Sequence, residues 1–162
     1  MVVKFDKLAL SDLDLGHLSL FLGLRINQLV MAQMARAGYR NVRESHGFVI
    51  QHLIESERTI TELARRMAVT QQAASKSVAE LVRLGVLEET PGHDRRSKII
   101  RISDKGWKAV HASRRIRTTI HRRIQKTLCA LDYEQTRRTL IQCLDGLGGT
   151  EAIRTRRVKQ PS

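Results

Sequence analysis

The sequence predicts a mainly helical α+β fold in which one β-hairpin interrupts a series of helices. Its 162 residues fit a single domain spanning residues 1–162, and 41% of them are hydrophobic, enough for a core. Only two prolines are present, Pro91 and Pro161, so long stretches contain no helix breaker. Between residues 86 and 103 the apolar periodicity changes to two, which is typical of strands.

The first two helices are predicted over residues 12–36 and 43–55. In the first, Leu18, Phe21 and Leu22 follow helical spacing, and further apolar side chains occupy its other faces. A helix that is apolar on several sides needs more than one packing partner. One small domain supplies one partner, and a second subunit would supply the other.

Two shorter helices follow, joined by a tight turn. Thr59 and Glu62 form a capping box that predicts a helix start near residue 60, and this helix should end near Ala68. Thr70 caps the next helix, predicted over residues 71–84. Its core face contains Ala74, Val78, Leu81 and Val82, and Gly85 ends it as a left-handed residue.

The hairpin and two further helices complete the prediction. Val86–Thr90 and Lys98–Ser103 are the predicted strands, joined by a charged turn. Ser103 caps a helix that continues to about residue 130. A last helix over residues 132–147 should turn four side chains inward: Leu140, Ile141, Leu144 and Leu147. Residues 150–162 are expected to form a short, basic, disordered tail.

The charge balance indicates a polyanionic partner. Lys and Arg number 29 against 16 Asp and Glu, a formal net charge of +13. Such a basic domain usually binds DNA, RNA or an anionic membrane. The membrane is disfavoured because the sequence shows neither an uninterrupted apolar run of about 18 residues nor a signal peptide. We therefore expect a cytoplasmic protein, with Cys129 and Cys143 as reduced thiols.

Residues 59–103, a helix, a tight turn, a second helix and a hairpin, form a winged helix-turn-helix pattern. Small side chains on the second helix permit close approach to a major groove. Gln71 and Gln72 suit adenine edges, Ser75 lies beside them, and Lys76 reaches guanine acceptors or a phosphate. The helix N-terminus, capped by Thr70, offers backbone N–H groups to phosphate. Double-stranded DNA is thus the predicted partner.

The turn of the hairpin carries a second candidate contact. Arg95 and Arg96 lie on the projecting loop, where a guanidinium fits the negative potential of a narrow minor groove. Asp94 is unsuited to contact with a polyanion. Its expected role is to fix the shape of the loop through an ion pair with Arg96.

The same segments resemble the MarR (multiple antibiotic resistance regulator) family. The resemblance covers roughly residues 12–148 and is strongest over 59–106. The matching stretches are Thr61–Met67 (TELARRM), Gln71–Val78 (QQAASKSV), Leu81–Leu87 (LVRLGVL), Asp94–Lys98 (DRRSK) and Ile102–Gly106 (ISDKG).

The resemblance implies a homodimer that regulates transcription, commonly as a repressor. A DNA-binding lobe over residues 56–103 would be joined to dimerisation helices over 12–36 and 104–148. Many members of the family lose DNA affinity when a small aromatic or phenolic acid binds between these two parts. Four residues are candidates for core packing or for the walls of such a pocket: Phe21, Phe48, His52 and Trp107.

Other functions remain open at this level. A winged helix also serves as a protein-docking module. The charge of residues 104–162, with 14 basic and 5 acidic side chains, also fits a sequence-independent DNA-compacting or RNA-binding protein. The basic run over residues 114–126 is either a phosphate-contacting stripe or a solvated helix face. The sequence carries no catalytic motif, no cofactor motif and no histidine pair at metal-binding spacing, so we expect neither an enzyme nor a metal or cofactor site.

Overall fold

The computed structural model describes residues 9–92 and 98–154, and it has the predicted mainly helical fold with one small sheet. A 3-10 turn at Leu10–Asp12 precedes α1 (Leu15–Arg36) and α2 (Glu44–Ile50). The short strand β1 (Arg58–Thr59) leads into α3 (Ile60–Met67) and α4 (Gln71–Arg83). The hairpin β2 (Leu87–Pro91) and β3 (Lys98–Ile102) is followed by α5 (Asp104–Thr127), α6 (Ala130–Gly146) and α7 (Thr150–Arg154).

The local signals in the sequence place the helix ends of the central region correctly. Thr59 accepts a hydrogen bond from the backbone N–H of Glu62, and Glu62 accepts one in return, so the predicted capping box is formed. Thr70 caps α4 and Ser103 caps α5, each through its hydroxyl. Gly85 has a φ of 70°, which places it in the left-handed conformation expected after α4.

The three strands form one antiparallel sheet in the order β1-β3-β2. In the hairpin, Leu87 pairs with Ile102 and Pro91 with Lys98. Ile100 and Ile102 are buried, as their alternation predicts. β1 is not among the predicted strands, because a two-residue strand is too short to show a period and depends on the contact of Arg58 and Thr59 with β3.

Buried apolar side chains form two clusters, and each cluster is the core of one layer of the molecule. The first lies under the sheet and contains side chains of α2, α3, α4, β2, β3 and Val110 of α5. The second lies between α1 and α5, where Val30 and Met34 pack on Ala109, Ala112 and Ile120. α5 belongs to both layers, so it connects the winged-helix lobe to α1.

Several predicted features differ in the structure. α2 ends at Ile50 rather than near residue 55, and α6 begins at Ala130 with Cys129 as its cap. Residues 150–154 are helical where a disordered tail is predicted, and residues 155–162 lie outside the described residues. The prediction of an inward face on α6 is wrong for the single chain: Leu140 is half-buried, but Ile141, Leu144 and Leu147 are exposed. Periodicity identifies an apolar face but not the molecule that covers it.

Candidate nucleic-acid interface

α4 presents a polar face to solvent while its opposite face is anchored in the first core cluster. Ala74, Val78 and Leu81 are fully buried. The exposed face contains Gln71, Gln72, Ala73, Ser75, Lys76 and Ala79. In the part of the chain that the structure describes, no hydrogen bond or ion pair occupies the side chains of the two glutamines, Ser75 or Lys76. These groups are therefore free to contact a ligand.

The N-terminus of α4 is shaped by a turn of three residues. Ala68 adopts the left-handed conformation with a φ of 54°, which ends α3 sharply. Thr70 then accepts a hydrogen bond from the backbone N–H of Ala73 at 3.1 Å. The turn brings the first residues of α4 to the surface with exposed side chains, as contact with a groove requires.

A polar cluster connects α2 to α4. The guanidinium of Arg43 forms an ion pair with Glu80 of α4. His46 is 2% exposed, its Nδ1 accepts a hydrogen bond from the backbone N–H of Arg43 at 3.1 Å, and its Nε2 lies 3.4 Å from Glu80. Since Nδ1 accepts, the neutral ring carries its proton on Nε2, facing the carboxylate of Glu80. Arg43 and His46 thus link the start of α2 to α4 through Glu80.

The hairpin is braced by ion pairs across its strands. Lys98 lies 2.5 Å from Glu89, and Arg101 lies 2.7 Å from Glu88 and 3.8 Å from Glu57. These exposed pairs favour the register more than they add to stability. The predicted wing residues Asp94, Arg95 and Arg96 lie outside the described residues.

A cleft of about 400 Å³ lies between α1, α2 and α5. Its apolar wall includes Met31, Met34 and Phe48, and its polar groups include Asn27, the carboxylate of Glu44 and three cations. Those cations are Arg43, Arg114 and Arg117. Such a volume, with an apolar lining and a few convergent charges, is typical of a site for a small organic anion.

The structure does not bring the four pocket candidates together. Only Phe48 lines the cleft. Phe21 is 52% exposed on α1, and His52 is 5% exposed within the winged-helix layer. Trp107 packs against the first core cluster, with its ring centroid 6.0 Å from that of His111.

Comparison with known proteins agrees with this architecture. Residues 44–97 match the sequence model of the MarR family. The chain has the MarR winged-helix fold. The predicted resemblance is therefore confirmed over the segment that contains α2, α3, α4 and β2, and no curated protein sequence matches the chain.

Solved MarR-type structures share the fold over most of the chain. YusO from Bacillus subtilis is 22% identical with a TM-score of 0.69, and the match covers 83% of this chain and 94% of that one. Apo MarR from E. coli is 17% identical with a TM-score of 0.63, covering 86% and 99%. MepR from S. aureus, in its complex with DNA, is 17% identical with a TM-score of 0.62, covering 83% and 99%.

Within this MarR-type fold, Arg43 is a functional candidate that sequence reasoning missed, and Arg114 and Arg117 enter the prediction only as part of the basic run over residues 114–126 and not as pocket residues. Arg114 and Arg117 are three residues apart and follow Val110, which also lines the cleft, so their position on α5 was a usable signal. Arg43 could not be recognised as a cleft residue from the sequence, because its position beside α5 depends on how α2 packs. The basic run over residues 114–126 is therefore not one stripe, since part of it faces the cleft.

Proposed function

We propose that this chain is a cytoplasmic, sequence-specific DNA-binding transcriptional regulator, a ligand-responsive repressor that acts as a homodimer on a pseudo-palindromic operator. The observation that carries the proposal is the exposed face of α4, with two glutamines, a serine and a lysine in a setting of small residues. These side chains have the donors and acceptors that read base edges, and no bulky side chain on this face would keep α4 out of the major groove. Thr70 caps the N-terminus of α4, whose backbone N–H groups would contact a phosphate.

Specific binding is tested by selecting duplexes from a random pool and measuring affinity for the selected site and for a mixed-sequence duplex. We expect a ratio of about a thousand or more at physiological salt. Gln72→Ala and Lys76→Ala should each weaken binding to the selected site by about 1–3 kcal/mol. Arg138→Ala, which removes an exposed cation of α6, is the control. A ratio near one would instead favour the sequence-independent binder.

The dimer is supported by apolar surface that the single chain leaves exposed. Six side chains in the N-terminal half of α1 are uncovered: Leu15, Leu18, Leu20, Phe21, Leu22 and Leu24. Judged by length and composition alone, α1 is also long and apolar enough to cross a membrane. However, its C-terminal half packs on α5 through Val30 and Met34, both buried, which favours a subunit interface over a bilayer. Two recognition helices in such a dimer would read half-sites about 34 Å apart.

Ligand response is supported by the cleft and by the double role of Arg43. This residue lines the cleft and also pairs with Glu80 of α4. A carboxylate that binds beside Arg114 and draws Arg43 toward it would weaken the support of α4. The ligand class is a small aromatic or phenolic acid, because the cleft combines an apolar wall with arginines.

The effector part of the proposal is tested with 2-naphthoate and its neutral amide. We expect the carboxylate to bind and to lower affinity for the selected duplex, and the amide to do neither. Arg114→Gln should weaken 2-naphthoate binding without changing DNA affinity in its absence. If the acid and the amide act alike, the arginines do not select an anion.

A further inference from the structure

Six of the eight cations of α5 form two groups that point in different directions. Arg114 and Arg117 line the cleft. On the other side, Lys108, Arg115, Arg122 and Lys126 recur at intervals of seven, seven and four residues, which places them within about 40° of one another around the helix. We call these four residues the outer cations. They extend over about 27 Å of helix.

Apart from Asp104, which lies on the same face four residues before Lys108, the surface of α5 around the outer cations is polar and contains no acidic residue. The neighbouring positions on this face are His111, Thr118, Thr119 and Gln125, and all eight side chains are exposed. In the described ranges, 9–92 and 98–154, no ion pair involves an outer cation. The only acidic residue of α5 is Asp104, at its first position.

This arrangement is unfavourable for the free helix. Lys and Arg occur eight times in α5, and neighbours such as Arg122 and Lys126 are four residues apart. Like charges at that spacing destabilise a helix. A bound polyanion would remove the repulsion.

The outer cations form a surface separate from the face of α4. α5 packs on α1 and β3, whereas α4 packs on α3, α2 and β2. Each helix turns its buried side chains toward the interior, Val78 and Leu81 from α4 and Ala109 and Val110 from α5. The exposed side chains of α4 and the outer cations of α5 therefore belong to different helices, each of which is exposed on the side away from its core contacts.

We propose that the outer cations of α5 bind the phosphate backbone of a second DNA duplex, without reading its sequence, so that the protein bridges a bound operator to neighbouring DNA. Apart from His111, whose ring centroid lies 6.0 Å from that of the half-buried Trp107, the face carries no aromatic side chain for stacking single strands, and it carries no exposed apolar side chain to insert into a bilayer or to anchor a protein partner. What remains is a row of flexible cations, and such a row recognises a duplex through charge alone.

The test compares two variants that lose the same charge. K108Q/R115Q/R122Q/K126Q removes the outer cations, and R36Q/R40Q/R138Q/R154Q removes four exposed cations from α1, the following loop, α6 and α7. Affinity for a 30-base-pair mixed-sequence duplex is measured by fluorescence polarisation across salt concentrations. Circular dichroism checks folding, and R115Q/R122Q serves as a milder variant.

Removing the outer cations should lower the affinity about tenfold or more at 0.1 M salt and reduce the salt slope by about 3 to 4. R115Q/R122Q should reduce the slope by about half as much. The control variant should change the slope by less than about 1. Two results would overturn the proposal: an equal loss of duplex affinity in both four-site variants, or no loss in the variant that lacks the outer cations. The proposal would also be wrong if removal of the outer cations abolished binding to phosphatidylglycerol vesicles and left duplex binding unchanged.

The same measurement in a Q72A/K76A background separates this inference from the proposed function. There, mixed-sequence binding should persist and should still fall when the outer cations are removed. If the protein shows no preference for the operator but removal of the outer cations still reduces the salt slope, the proposed sequence-specific function is wrong and the second DNA-binding surface is unaffected. If the protein prefers the operator but removal of the outer cations leaves the salt slope unchanged, the proposed second DNA-binding surface is wrong and the proposed function is unaffected.

Discussion

Phe21 gives the sharpest test of the proposed dimer, whose interface would cover the exposed apolar surface of α1. Its side chain is 52% exposed on α1, so about half of its surface remains to be buried. Complete burial of such a side chain contributes roughly 1.5–3 kcal/mol, so the remaining half is worth about 1 kcal/mol. A two-fold interface contains the residue twice, which makes the effect of Phe21→Ala about 2 kcal/mol per dimer. We expect the dissociation constant to rise about 30-fold.

The assay is sedimentation velocity over a dilution series of fluorescently labelled chain. Val69→Ala is the matched control, because Val69 is 41% exposed but lies in the turn before α4, away from α1 and α6. Its dissociation constant should equal that of the wild type. An unchanged constant for Phe21→Ala, an equal shift for both variants, or a monomer at every concentration would show that α1 is not the interface.

Three further predictions concern the lobe that presents α4. Thr59→Ala should lower the free energy of unfolding by about 1 kcal/mol, measured by urea denaturation, because the cap of α3 is lost; an unchanged midpoint would contradict the capping role. Hydrogen bonds from Thr59 lower the pKa of Glu62, so the stabilisation by its carboxylate is complete above the ordinary pKa of glutamate and is lost as the pH falls through the lowered value. The difference in unfolding free energy between wild type and Glu62→Gln should therefore shrink below about pH 5, and a constant difference from neutral to acid pH would refute it. Gly106→Ala should destabilise the chain by about 2 kcal/mol or more in thermal melts, because the new Cβ would lie 2.1 Å from the carbonyl oxygen of Val86, whereas Ala79→Gly, at an exposed position of α4, should show only the smaller loss from helix propensity.

Much of the central region could be predicted from the sequence because its determinants are local. The caps at Thr59, Thr70 and Ser103 act within three residues, and Gly85 supplies its own left-handed conformation. The exposed and buried faces of α4 follow directly from helical spacing. These features do not depend on how distant parts of the chain meet.

The cleft could not be predicted in the same way. Of the four residues proposed for it, Phe48 lines the cleft, but Phe21, His52 and Trp107 lie elsewhere. An aromatic or histidine residue in a helical pattern is equally suited to core, surface and pocket, and only the packing of α1, α2 and α5 distinguishes these environments.

By itself, then, the sequence determined the succession of helices and strands, the hydrophobic faces and the polar surface of α4, since short-range hydrogen bonds and periodicity specify them. The tertiary structure alone decided that Arg43 joins the cleft to α4 through Glu80, that the cations of α5 divide between the cleft and an outer face, and that α1 and α6 leave apolar side chains uncovered. The physical reason is that a contact between distant segments depends on the relative position of whole elements, which is set by the packing of both core clusters together.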